Sequence, residues 1–431
     1  MNPLITRYAL ILALIGFISC SPSIEKQFKS SKTSHQGFTG LAVYDLAKEK
    51  MLYEYNSDKY FTPASNTKLF TFYTGLKILG DSVPAVKYAI RGDSLIFKGT
   101  GDPSLMNPAL ENSKVLELLS KSHHNLYYYP PVFTEEFFGP GWSWDDYHYA
   151  FSAERSVMPV FGNKTTFYFN KNTEPQIEPK IFRDSISYSQ RDLSPGIQRN
   201  LSNNNFQVSE NYSSKKNYTR EVPFKYSDRL LLDILEDTLK KKIELIKNPQ
   251  RSLNFNKILF SIPIDSIYKK ILEESDNFIA EQILLMAAGK ISDTLKTSIA
   301  IDYMKQNYLK DLPDKPVWVD GSGLSRYNLF TPRSLVKLLE KIYKELPQKK
   351  LFSMMATGGT SGTLKNYYKA ETPYIFAKTG TLSNNHSLSG YLKTESGKIL
   401  IFSFMNSNYT IPTSELKEGM TEILEKIRDH Y

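Results

Sequence analysis

The sequence predicts a mixed α/β (α+β) fold in which helices cover an antiparallel sheet and a large insertion interrupts the domain. Three observations predict it. GLAVYDL and KMLYEYN, within residues 40–56, alternate apolar and polar around a short polar turn, the signature of a hairpin. The runs at 66–79 and 277–289 have the length and composition of buried helices. Strand-like runs at 374–377, 387–393 and 398–405 precede an amphipathic helix that ends the chain.

Taken in order, 21–37 is a polar, Ser/Lys-rich tether, followed by the hairpin and the first buried helix. Residues 86–105 read as short strands that end in the turn-rich GTGDPSL. From 110 to 260 the texture changes. GPGWSWDDYHY (139–149) is dense in aromatics, and 171–225 is rich in Asn, Ser and Lys with few helical periods. This region reads as an insertion whose middle is irregular or built of short strands. Helical patterning returns at 226–241, at 277–289 and at 333–347. VWVDGSGLSRYN (317–328) reads as a strand running into a turn, and the last helix is expected to be capped by Thr413 or Ser414.

The chain has 431 residues, 41% of them hydrophobic, and a net charge of +9. That length suits two or three domains, or one large domain with an insertion. The basic residues are spread along the chain with no arginine-rich arm, which argues against a nucleic-acid partner. At the N-terminus, Arg7 precedes the apolar run YALILALIGFIS (8–19), and Cys20 follows as the sole cysteine. The run has signal-peptide length and is too short to span a bilayer. GFISC resembles a bacterial lipoprotein signal, in which the cysteine is lipidated and becomes the mature N-terminus. The expectation is a signal peptide at 1–19, then a lipidated Cys20 and tether at 20–37. That places the protein in the periplasm or cell envelope on a membrane anchor. A plain secretory signal with an incidental cysteine is the alternative.

Ser-x-x-Lys is a common pattern, present at Ser23, Ser65, Ser213, Ser266, Ser334 and Ser414. For most of these, a solvated serine and lysine on one helix face is the plain reading. Ser65 differs in its setting, PASNTKLFT (63–71). Pro63 marks a turn, and the apolar LFTFYTGLKIL buries the helix that follows. Lys68 lies one helical turn on, so its amine can reach the Ser65 hydroxyl. Burial and a second cation would lower its pKa, leaving a neutral amine able to take the serine's proton. Lys378-Thr379-Gly380 supplies such a cation at the end of the apolar YIFA and is followed by Thr381. Lys378 and the Thr379 hydroxyl suit a carboxylate, and Gly380 would let a substrate backbone lie close to the strand. Ser-x-Asn at Ser202 and Ser383 falls in polar turns, whereas Ser275-Asp276-Asn277 directly precedes the helical FIAEQILLMAAG. Alone, Lys-Thr-Gly is a turn between strands and Ser-Asp-Asn a helix cap.

In the order SxxK, SxN, KTG, the set resembles the serine penicillin-recognising enzymes. Within them it is similar to the low-molecular-mass class C penicillin-binding proteins, the D-alanyl-D-alanine carboxypeptidase/endopeptidases of peptidase family S13. YFTPASNTKLFT, GTGDPSL, GPGWSWDD, SDNFIAEQILL, DGSGLSRYNLFTP, SGTLKNYY and AKTGTL all carry the resemblance. It is weakest across 165–260. It implies a β-lactamase/transpeptidase-like serine hydrolase domain at 38–88 and 262–431, with inserted subdomains at 89–261. Ser65 would be the acylated nucleophile and Lys68 its base. Ser275 and Asn277 would shuttle the proton and hold Lys68 and the substrate amide. Lys378, Thr379, Gly380 and Thr381 would bind substrate, with an oxyanion hole at the backbone N–H groups of Ser65 and Thr381. Peptidoglycan stem peptides are the implied substrates, β-lactams the covalent inhibitors, and no cofactor is implied.

A β-lactamase shares the nucleophile, but no deacylating glutamate is identifiable. A non-catalytic cell-wall-binding scaffold would not need all three motifs intact. The six histidines sit in no catalytic motif, there is no G-x-S-x-G elbow, and no HExxH or cysteine cluster suggests a metal.

Overall fold

The computed structural model describes Phe28 and residues 37–170, 174–213, 217–247 and 253–431. The expected signal segment, Cys20 and most of the tether lie outside the described residues. Phe28 is buried, its ring 4.7 Å from that of Tyr55.

The hairpin is β1 (Phe38–Asp45) and β2 (Lys50–Tyr55). A short 3-10 turn, Ala64–Asn66, runs into α1 (Thr67–Ile78). Then come β3 (Ser82–Arg91), β4 (Ser94–Gly99), β5 (Asn125–Tyr128), β6 (Ile243–Leu245) and β7 (Lys257–Pro263). They form one sheet in the order β6-β5-β4-β3-β7. Two three-stranded sheets, built between Lys164 and Pro223, complete this part of the chain. The buried helices α2 (Asn277–Ser292) and α3 (Pro332–Glu345) follow. The strands β8 (Ala356–Thr357), β9 (Ile375–Leu382), β10 (Asn385–Lys393) and β11 (Ile399–Ser407) join the first hairpin, and α4 (Thr413–His430) ends the chain.

The main sheet is antiparallel throughout, in the order β8-β9-β10-β11-β1-β2. Pairing of β1 with β11 brings the start and the end of the chain together. β11 reads ILIFSFMNS and is buried on both faces. Leu400, Phe402 and Phe404 pack with α4, while Ile401 and Met405 join the core of α1, α2 and α3. A sheet covered on both sides needs this near-continuous apolar strand, and successive side chains alternate between the two cores. Each such side chain contributes roughly 1.5–3 kcal/mol by its burial. α1 is hidden almost all round, with nine of its 12 residues buried. A third core fills the region from β3 to the segment ahead of β6.

The structure departs from the sequence expectations at two points, the 317–328 segment and the cap of α4. Residues 317–328 hold a single bridge, Val317 to Leu329, and are otherwise a loop wound around Asp320. That carboxylate supplies the partners that a neighbouring strand would have supplied. α4 is preceded by Pro412, and no side chain caps it. The second sheet takes in β3 from Ser82 and β7 to Pro263, on both sides of the expected boundaries at 89 and 261. β3 and β7 pair antiparallel, so the two crossings between the sheets run side by side.

Candidate active site

Ser65 sits in the 3-10 turn that opens α1. Ala64 before it has φ +47°, a left-handed conformation that costs an alanine roughly 1–2 kcal/mol. Tertiary contacts impose it. The Ala64 carbonyl accepts from Thr67 Oγ1 at 2.8 Å and lies against Gly323, where an added Cβ would stand 1.9 Å from it. Asn66 turns the other way, and its Nδ2 donates to the Lys378 carbonyl on β9 at 2.9 Å. The nucleophile's turn is therefore clamped between the 320–325 loop and the main sheet.

One helical turn on, Lys68 is fully buried. Its Nζ lies 3.0 Å from Ser65 Oγ, 2.6 Å from Asn277 Oδ1 and 2.6 Å from the Ser322 carbonyl. Burial lowers its pKa to about 8, opposed by the carboxylates of Asp320, Asp276 and Glu281. Lys378, also fully buried, is held well below the usual lysine range by burial and then by the charge of Lys68. The sequence reading had burial and a second cation, Lys378, lower the Lys68 pKa. In the structure burial is what lowers it, and the repulsion falls on Lys378.

Ser275 and Asn277 come from an irregular junction. A π-helical turn, Lys270–Glu274, ends in Ser275 at φ 66°, and such turns recur at functional sites. The cap of α2 is Asp276, whose carboxylate accepts from the Ile279 N–H at 2.8 Å. The two flanking residues are thus free of the capping task. Ser275 Oγ accepts from Lys378 Nζ at 2.8 Å. Asn277 accepts from Lys68, and its Nδ2 donates to the Phe151 carbonyl at 3.0 Å.

On β9, Lys378 also donates to the Thr379 carbonyl, and Thr379 Oγ1 donates to Thr363 Oγ1 at 2.8 Å. Gly380 lies against the turn that carries Ser65. A Cβ there would stand 2.4 Å from the Pro63 carbonyl and 2.9 Å from Ser65 N. Glycine lets the strand lie against the nucleophile's turn. Thr381 is exposed, and its Oγ1 is 2.8 Å from His386 Nδ1. Burial drives the His386 pKa down to about 3, so this imidazole is neutral.

All of Ser65, Lys68, Ser275, Asn277, Lys378, Thr379, Gly380 and Thr381 therefore meet at one seam between α1, α2 and β9. Sequence reasoning missed the groups behind them. Asp320 accepts from Gly323 N, Ser325 N, Asn328 Nδ2 and Trp142 Nε1 at 2.6–2.9 Å. Glu281 accepts from the N–H groups of Gly321 and Ser322 at 2.9 and 2.7 Å. Their only signal was their place inside DGSGLSRYN and SDNFIAEQILL. The GWSW aromatics divide: Trp142 braces Asp320, whereas Trp144 is 80% exposed. Among the described residues, no group of three His, Cys, Asp or Glu could hold a metal, and no helix is long and apolar enough to cross a membrane.

The sequence model described as the D-Ala-D-Ala carboxypeptidase 3 (S13) family matches residues 23–427. The chain belongs to this family. It is a serine peptidase, hence a hydrolase. It is 23% identical to D-alanyl-D-alanine carboxypeptidase DacB of Haemophilus influenzae, over 91% of this chain and 90% of that one. It is also 23% identical to penicillin-sensitive carboxypeptidase A of Dictyostelium discoideum, over 86% and 83% of the two chains. The fold is similar to the crystal structure of penicillin binding protein 4 from Haemophilus influenzae. That match has a TM-score of 0.71 at 21% identity, covering 94% of this chain and 98% of that one. A predatory peptidoglycan endopeptidase of Bdellovibrio bacteriovorus matches with a TM-score of 0.51 at 16% identity, over 90% of each chain. The mixed α/β, β-lactamase/transpeptidase-like architecture expected from the motifs is thus the one found.

Proposed function

We propose that this S13 peptidase removes the terminal D-alanine of peptidoglycan stem peptides through an acyl-Ser65 intermediate, and that cross-linked stem peptides are cut by the same chemistry. The observation that carries this reading is a fully buried Lys68 amine 3.0 Å from Ser65 Oγ. The neutral amine takes the Ser65 proton as Oγ attacks the carbonyl carbon of the penultimate D-alanine. The N–H groups of Ser65 and Thr381 receive the oxyanion, each such donor being worth about 3–4 kcal/mol in acyl transfer. Ser275, between Lys378 and the cleft, relays a proton to the leaving amine, and Asn277 steadies Lys68. Lys378 and Thr379 bind the terminal carboxylate. Water then cleaves the ester. A β-lactam is attacked in the same way, but its ring-opened acyl group stays on Ser65.

The division into a discontinuous catalytic domain, 38–88 with 262–431, and an insertion at 89–261 belongs to this proposal, with the sheet crossings of β3 and β7 as its support. So do a lipidated Cys20, a signal peptide at 1–19 and a place on a membrane in the cell envelope. The relatives that carry carboxypeptidase names and the sequence GFISC support them.

Intact-mass measurement with excess benzylpenicillin tests the reading. One adduct on the wild-type chain, absent from Ser65→Ala, is expected. Penicillin turnover with no lasting adduct would indicate a β-lactamase. Neither adduct nor turnover would refute acyl transfer at Ser65.

A second expectation concerns Lys378. In the free site it is held well below the usual lysine range. A carboxylate beside it favours the charged amine and raises its pKa. Over the pH range in which the free-site amine titrates, binding of a D-Ala-terminated peptide is thus expected to take up a proton. Calorimetry in two buffers of different ionisation enthalpy reads this directly, and equal heats in both would refute it.

A further inference from the structure

We propose that Glu281 is a positioning residue that holds the Ser322 carbonyl on the Lys68 amine and sets the pH at which that amine works as a base. This rests on the reading of Lys68 as the base.

Two acceptors fix Lys68 besides Ser65, and both trace to α2. Asn277 accepts directly at 2.6 Å. Glu281 lies four residues on, on the same helix face. Its Oε1 accepts from the N–H groups of Gly321 and Ser322, and the Ser322 carbonyl accepts from Lys68 at 2.6 Å. Ser322 thus stands between a fully buried carboxylate, which accepts from its N–H, and a fully buried amine, which donates to its carbonyl. Glu281 is not the cap of α2 and reaches no solvent. Its second oxygen faces Arg155 Nη1 at 3.4 Å.

The charges around this pair come from several elements. Lys68 is faced by Lys378 from β9, Asp276 from the cap of α2, Asp320 from the loop, and Glu281. Glu281 is faced by Asp320 and Arg155, and Arg155 also lies 3.7 Å from Glu135. Asp320 is satisfied by its own donors within the loop and by Trp142. Burial and then Asp320 raise the Glu281 pKa to about 7. A carboxylate that ionises near neutrality beside an amine poised near 8 adds its charge in the range where the amine must lose its proton.

The test is the acylation rate of the full chain with a chromogenic cephalosporin across about pH 5–10. The wild-type rate should rise through a midpoint near 8. Glu281→Gln keeps an oxygen for the two N–H groups and removes the charge. Its midpoint should move to lower pH, with acylation roughly threefold faster one unit below the wild-type midpoint and an unchanged plateau, a displacement of about half a pH unit. An unmoved midpoint, with rates lowered in proportion at every pH, would overturn the proposal and leave Glu281 as scaffold. Because Glu281→Gln leaves the buried Arg155 with Glu135 as its remaining carboxylate partner, the double variant E281Q/R155M is measured beside it. That variant removes the ion pair whole and should show the same downward displacement. A wild-type chain that is not acylated at any pH would refute the functional reading itself, a separate failure.

Discussion

Lys68→Arg is expected to abolish acylation of Ser65. A guanidinium stays protonated at any working pH, whereas burial brings the Lys68 amine to about 8. Loss of a positioned general base costs about 10²–10⁴-fold, and an arginine also offers no lone pair to the serine proton. The larger side chain must fit where no solvent reaches, so Lys68→Met is the companion variant. It matches the volume, removes a buried charge and has no base. Both are measured by quenched-flow acylation with a β-lactam, alongside thermal unfolding. A folded Lys68→Met chain that acylates within tenfold of wild type would sink the lysine-base mechanism.

Gly323→Ala is expected to disable the site without touching any group that reacts. Gly323 has φ +82°, and an added Cβ would stand 1.9 Å from the Ala64 carbonyl. The left-handed backbone costs an alanine roughly 1–2 kcal/mol, and overpacking adds about 1–3 kcal/mol. The clash pushes on the residue that precedes the nucleophile. A displacement of about 1 Å there lowers the rate roughly 10²-fold. Gly397→Ala separates the two effects. It also has a left-handed φ, +84°, but a Cβ there meets nothing within 4 Å. It should lower the melting temperature slightly and leave acylation unchanged. Equal losses of activity in both variants would refute the clamp on Ala64.

These two expectations differ in how far the sequence could carry them. The first was legible in PASNTKLFT: a serine, a lysine one turn on, and an apolar run that had to be buried. Hydrophobic periodicity also identified the hairpin, α1, α2, α3 and the three closing strands, because each buries a face or a whole circumference in one of the cores. It did not find that 317–328 is a loop, since VWV has strand composition and nothing local reveals that Asp320 satisfies the backbone. Nor does anything local reveal that the Pro63 carbonyl lies against Gly380, where a Cβ would stand.

What the sequence determined by itself was the kind of chemistry, the order of the three motifs and the elements that carry them. These depend on residue type and on spacing within a few positions, which a single strand or helix expresses. Only the tertiary structure decided how the amine is tuned and held. Lys68 meets Asn277 from 209 positions away and the Ser322 carbonyl from 254, and Glu281 reaches the N–H of that same Ser322 from a third element. Desolvation and the charges facing a buried group are sums over neighbours from the whole fold, so no window of sequence contains them.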